Sequence, residues 1–177
     1  MATTISCPIP DNITPLSPNG FMFNISKLPD MAYFCQQVNL PGVTVGAPEF
    51  GNPFNAQPIP GDSLTYDQLT VQFLVDSNMN NYKAIYNWII ALGFPQSYEQ
   101  YITFISQDQR GALSELARNY SDATLQILSG TNASTQIIEF HDLFPVSIDS
   151  LTFQSTNQDV QYVVGNATFR YGYYKFL

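Results

Sequence analysis

Between Tyr66 and Asp76 the chain alternates strictly. Leu69, Val71, Phe73 and Val75 fall on one face, and Gln68, Thr70, Gln72 and Leu74 fall on the other. That period of two predicts a strand with one apolar face, only Leu74 breaking the polar side. Turn chemistry at Pro60-Gly61 precedes it. The period then lengthens: Met79, Tyr82, Ala84, Ile85, Tyr86, Trp88, Ile89 and Leu92 mark a helix. Asp76 or Ser77 is placed to cap its start, and Gly93 sits where a C-terminal cap belongs.

Other segments follow the same logic. Residues 1–19 are rich in Pro, Ser and Asn and read as an extended arm, leaving 20–177 as one domain. Phe21–Lys27 and Met31–Val38 predict a short hairpin about Pro29-Asp30. Phe94-Pro95 stops the helix, Gln96–Ile105 has no clear period, and Gln107–Tyr120 shows helical spacing. Ala123–Leu128 and Thr135–His141 predict paired strands about Ser129–Asn132. Asp142–Pro145 is expected to turn the chain, and Val146–Gln154 to be a strand whose phase slips at Asp149-Ser150. After a turn at Ser155–Asp159, Val160–Phe176 reads as one long final strand. The sum is an α+β, mainly β chain: an antiparallel β-sandwich or half-barrel with one flanking helix.

One stretch differs in kind. Residues 39–62 hold Pro41, Pro48, Pro53, Pro58 and Pro60 together with Gly42, Gly46, Gly51 and Gly61. No helix fits there, and any strand must be an edge or a protruding arm. A loop this long inside a compact domain generally has a use. Its apolar residues Val43, Val45, Phe50, Phe54 and Ile59 favour docking on a neighbour, because prolines reduce the entropy lost when an arm is pinned. Together with Pro41, Pro60 and Gly61 they are the candidate subunit-interface residues.

Composition supports assembly. Charged residues make up only 11% of the 177 positions, against an ordinary share of about 25%. Asn, Gln, Ser and Thr supply the polarity instead. The net charge of −8, with 6 Lys and Arg against 14 carboxylates, excludes a basic grip on nucleic acid. No run approaches the roughly 20 apolar residues of a membrane span. The N-terminus has neither the basic region nor the apolar core of a signal peptide. Cys7 and Cys35 lack metal-ligand spacing and read as free thiols. His141 is the single histidine, between Glu139 and Asp142, with no second histidine and no nucleophile elbow to serve. Asp62 and Asp76 sit at turn and cap positions, and no phosphate-binding glycine loop appears. Neither an enzyme nor a cofactor is expected.

Two ordered series of motifs go further. One is Asn39-Leu-Pro-Gly42, Ile59-Pro-Gly-Asp62, Tyr66-Asp67, Leu69-Thr-Val71, Phe73, Val75-Asp76 and Asn81-Tyr-Lys-Ala-Ile-Tyr-Asn-Trp88. The other is Phe140-His-Asp-Leu-Phe-Pro-Val146, Leu151-Thr-Phe153, Asn157 and Val160 onward to Phe169-Arg-Tyr171. Together they resemble the tail tube family of T4-like contractile bacteriophages over most of residues 20–175. The resemblance implies hexameric rings in which strands from six chains close one β-barrel around a lumen, leaving no free sheet edges. It implies stacked copies of the chain itself, tail sheath and baseplate hub proteins as partners, and assembly in the host cytoplasm into the virion. It assigns residues 39–62 to an arm reaching the adjoining ring. It also implies an acidic lumen through which double-stranded DNA passes without specific binding, as the net charge allows; Glu139, Asp149 and Asp159 are the lumen-facing candidates. The family includes the repeated tube subunit and related baseplate or terminator rings that initiate or cap the tube.

Overall fold

The computed structural model describes residues 15–16, 18–51, 54–93, 95–107, 119–130, 133–155 and 162–177. Its framework is one antiparallel sheet of seven strands: β1 (Phe21–Ile25), β2 (Cys35–Val38), β7 (Leu69–Leu74), β8 (Ser121–Leu128), β9 (Ser134–Ile148), β10 (Val164–Arg170) and β11 (Tyr173–Phe176). Four short strands, β3 (Val43–Val45), β4 (Glu49–Gly51), β5 (Ala56–Pro58) and β6 (Leu64–Tyr66), lie outside it. The helices are α1 (Met31–Phe34), α2 (Asn80–Gly93) and α3 (Glu99–Gln107). Strands follow the order β1-β8-β9-β10-β7-β2, with β11 beside β9.

β9 folds this sheet over on itself. Its first half pairs with β8 and β11, and its second half with β10. Between them Asp142 has φ 57, and the β8 register skips from Phe140 to Leu143. That bulge bends the strand, as an extra residue in the left-handed region does. The expected turn at Asp142–Pro145 is therefore a corner inside a continuous strand. The two halves face each other across one core: Phe23, Ile25, Leu125, Ile138 and Phe140 meet Leu69, Val71, Phe73, Ala167 and Phe169. Gly165 is opposite Phe73, whose ring a Cβ there would approach to 2.9 Å, so glycine is what lets that ring lie flat.

The alternation read in Leu69, Val71 and Phe73 is realised, all three being fully buried. Helix α2 packs Ile85, Trp88 and Ala91 inward. Its start is organised by Asn81 rather than by Asp76 or Ser77. The Asn81 amide donates to Leu74 O at 2.7 Å, and its Oδ1 accepts from Asp76 N at 3.2 Å and Tyr82 N at 2.8 Å. A buried asparagine so satisfied ties strand end to helix start.

Other sequence expectations change. Phe21–Lys27 and Met31–Val38 do not form a hairpin. β1 pairs with β8 and β2 with β7, while Leu28 N and Met31 N close tight turns and Met31–Phe34 winds into α1. Local pattern specifies strands but not partners. A second flanking helix occupies Glu99–Gln107, within and just beyond the stretch without a clear period; the expected helix at Gln107–Tyr120 lies mostly outside the described residues. The strand expected over Val146–Gln154 ends at Ile148. The final strand breaks at Tyr171-Gly172 into β10 and β11, so Tyr174 packs on the core while Tyr173 is exposed. Among the described residues a single chain closes no barrel: β1 and β2 approach through α1 without pairing.

Candidate assembly interface

The proline-studded stretch is a two-tier β-hairpin. β3 pairs with β6 in the lower tier, and β4 with β5 in the upper. Proline restricts strands to short edge pieces, so each tier spans three residues per strand. Between the tiers Gly61 N donates to Gly46 O at 2.7 Å, and Gly46 N to Ser63 O at 3.0 Å. A Cβ on Gly61 would lie 2.5 Å from Gly46 O, which is backbone and cannot swing aside. Gly61 thus serves the hairpin's own close approach.

Its root is clamped to the sheet. Thr70 N donates to Asn39 Oδ1 at 2.6 Å, and Asn39 Nδ2 donates to Gln68 O at 3.1 Å. Tyr66 packs against Tyr171 and Tyr174, and Tyr174 Oη donates to Pro41 O at 3.3 Å. Above this root the hairpin is bare. Phe50 is 62% and Phe54 96% exposed, and Val43, Val45, Ile59 and Leu64 are exposed as well. Pro60 is exposed and Gly61 partly so, whereas Pro41 is buried in the root and offers no free surface. The apolar side chains that the sequence offered for docking, Pro41 excepted, therefore stand exposed on the hairpin.

The lumen candidates are not brought together. Glu139 lies on the outer face of the β8–β9–β11 half, 3.0 Å from Lys175 Nζ and 3.6 Å from His141 Nε2. Asp149 follows the far end of β9 and accepts from Asn166 Nδ2 at 3.1 Å. Asp159 lies outside the described residues. His141 stacks on Tyr173 with centroids 4.7 Å apart and has Asp122 at 3.7 Å, a cross-strand cluster rather than a catalytic dyad. Among the described residues no group of three or more His, Cys, Asp or Glu is arranged to hold a metal.

Two features take shape only once the strands are paired. On the outer face of the other half, Thr70, Gln72, Asn166, Thr168 and Ser147 stand in cross-strand register, an uncharged hydrogen-bonding surface. Beyond the opposite end of β7 from the arm, Phe153 and Tyr162 border an open cleft. The slip noted at Asp149-Ser150 was its one sequence signal.

Burial pushes the Cys35 thiol up to about 11. It also pushes the Tyr171 phenol up to about 12, with the neighbouring Tyr174, Asp67 and Tyr66 adding to the shift. Cys35 is a free thiol; Cys7 lies outside the described residues. Both groups hold protons in the fold that the unfolded chain gives up from about 9 (Cys) and 10 (Tyr). Their contribution to stability is complete below pH 9 and lost as pH rises through 11 to 12. Thermal melts from pH 8 to 12 are expected to show a falling Tm that is shallower in Tyr171→Phe. That variant should match the parent at pH 7, since Tyr171 Oη has no hydrogen-bond partner among the described residues.

The sequence profile described as phage tail tube protein matches residues 6–177. The chain belongs to that family. Solved structures agree in fold. The tube-terminating cap of the anti-feeding prophage superposes with a TM-score of 0.61 at 15% identity, covering 100% of this chain and 99% of that one. A chain of the anti-feeding prophage baseplate gives 0.60 at 12% identity over 93% and 96%. One from the sheath–tube complex of an extracellular contractile injection system in its extended state gives 0.56 at 16% over 92% and 91%. No curated protein matches the sequence. As a phage tail tube family member the chain is a structural component of the tail. Among its described residues no helix is long and apolar enough to cross a membrane.

Proposed function

We propose that this tail tube family protein is a ring-forming subunit of the tube itself, six copies closing around a lumen through which DNA leaves without specific binding. The observation that carries this reading is the pairing of unclosed sheet edges with a bare apolar hairpin on one chain. Edges at β1 and β2 call for lateral partners within a ring, and the hairpin calls for a partner beyond it. Sheath and baseplate hub proteins would then surround and seat the stack. The lumen wall would combine the Thr70–Gln72–Asn166–Thr168 face, with exposed Arg170 beside it on β10, with a chain of net charge −8, leaving phosphates few cationic groups to hold.

A second reading, a single ring that initiates the tube at the baseplate or caps it, draws support from the fold likeness to the cap and baseplate chains. Copy number separates the two. Quantitative mass spectrometry of virions is expected to return many multiples of six copies per particle. Six or twelve copies would overturn the repeated-subunit reading in favour of the single ring.

A further inference from the structure

We infer that Asn19 is a site of spontaneous covalent modification. Its side-chain amide condenses with the main-chain nitrogen of Gly20 to a cyclic imide, which water then opens. The sequence holds a single Asn-Gly pair, and each of the other asparagines precedes a residue with a Cβ. Ring closure needs the following nitrogen to fold back on the asparagine Cγ. Glycine gives the backbone that freedom and puts no side chain in the way.

Placement is the second argument. Asn19 is exposed and lies in a turn with Pro18, just ahead of β1. Asn-Gly ordinarily closes a hairpin between consecutive strands. Here β1 pairs instead with β8, Phe21 standing opposite Ile127, so Gly20 stands opposite Leu128. Residues facing each other at a hydrogen-bonded position of an antiparallel pair exchange two bonds. At Gly20 one is made: Leu128 N donates to Gly20 O at 2.9 Å, and among the described residues Gly20 N donates to nothing. Leu128 O lies instead beside the place of a Gly20 Cβ, 3.0 Å from it. The Asn19 amide has no hydrogen bond among the described residues either. Nucleophile and electrophile are adjacent, and neither is held by the sheet.

The chemistry balances with water alone. A solvent base takes the Gly20 amide proton, and the nitrogen bonds to Asn19 Cγ. The Cγ–Nδ2 bond breaks, and Nδ2 leaves as ammonia after taking a proton from water. Water then adds to either imide carbonyl. Opening at the side-chain carbonyl gives aspartate. Opening at the main-chain carbonyl gives isoaspartate, with Gly20 joined through the former side chain and the main chain one carbon longer. Either product adds a negative charge to a chain already at −8.

The core lies beyond the altered bond. Phe23 and Ile25 are the buried residues of β1, held opposite Leu125 and Ala123. The domain therefore keeps its fold, while the chain enters an end strand of the sheet by a longer path and with a new carboxylate.

Peptide mapping tests the site. Purified protein is held at mildly alkaline pH in heavy-oxygen water, folded and, in parallel, unfolded in guanidinium chloride. Peptides spanning residue 19 are read by electron-transfer fragmentation, which separates isoaspartate from aspartate. Folded protein is expected to convert Asn19 within tenfold of the unfolded rate, and at least tenfold faster than Asn24, Asn81 or Asn166. The product should carry heavy oxygen and include isoaspartate, and Asn19→Gln should remove it without changing the thermal melt. Protection of Asn19 by more than tenfold in the folded protein would overturn the inference, because Gly20 N would then be held. Faster conversion at another asparagine would overturn it too, as would aspartate formed with no isoaspartate, the mark of direct hydrolysis.

Discussion

Trp88→Ala is expected to destabilise the fold by about 3–5 kcal/mol, the range for removing a large buried aromatic. Trp88 is 1% exposed and joins the core to both helices. Its ring lies 6.5 Å from Phe169 on β10 and stacks on Phe104 of α3 at 6.4 Å. Lys27 Nζ sits 4.9 Å from its centroid, and Nε1 donates to Asn119 O at 3.1 Å just before β8 begins. Truncation empties that volume and leaves the Asn119 carbonyl without its donor. For a domain of this size the loss corresponds to a fall in Tm of about 6–20 °C. Trp88→Phe keeps most of the volume but not the donor, and should lose about 1–3 kcal/mol. Denaturant titration followed by far-ultraviolet circular dichroism reads both; an alanine variant within 1 kcal/mol of the parent would show that α2 does not brace the sheet.

Excision of residues 47–60 is expected to do the reverse, sparing the fold and abolishing stacking. Gly46 and Gly61 already touch through the 2.7 Å hydrogen bond, so joining them leaves β3 and β6 connected by a short glycine-rich turn. What is lost is β4, β5 and the exposed Phe50, Phe54 and Ile59. None of these contributes to the core, so the Tm should hold within about 3 °C, a change of order 1 kcal/mol. Stacked assemblies should fall by at least tenfold in sedimentation, while isolated rings persist. Unchanged stacking in the shortened protein would remove the arm from the account.

Where local chemistry decides, the chain is readable. The alternation of Leu69, Val71 and Phe73 emerges as a buried strand face, and the 79–92 periodicity as α2, which runs from Asn80 to Gly93. The stretch from 39 to 62 was legible as non-helical edge structure, because its prolines exclude a helix and a central strand, and β3 to β6 pair as short edge pieces. Pairing was not legible. Phe21–Ile25 finds its partner about a hundred residues away in β8, where no turn residue announces it. The Asp142 corner and the Gly172 break interrupt runs whose apolar pattern continues through them. Which carboxylates face a lumen was not legible: a carboxylate's sign is visible in sequence, but the direction its strand faces depends on how copies meet. Glu139 is engaged by Lys175, and the polar face of β7, read as Gln68, Thr70 and Gln72, gained its neighbours Asn166 and Thr168 only from the strand pairing.

The central claim is that copies of this chain close into rings, and electron microscopy of the purified protein tests it most directly. The account predicts six-fold annular particles with an open lumen, stacking into short tubes as concentration rises. A protein that stays monomeric at high concentration, with native circular dichroism and no annular particle in any field or virion, would contradict it.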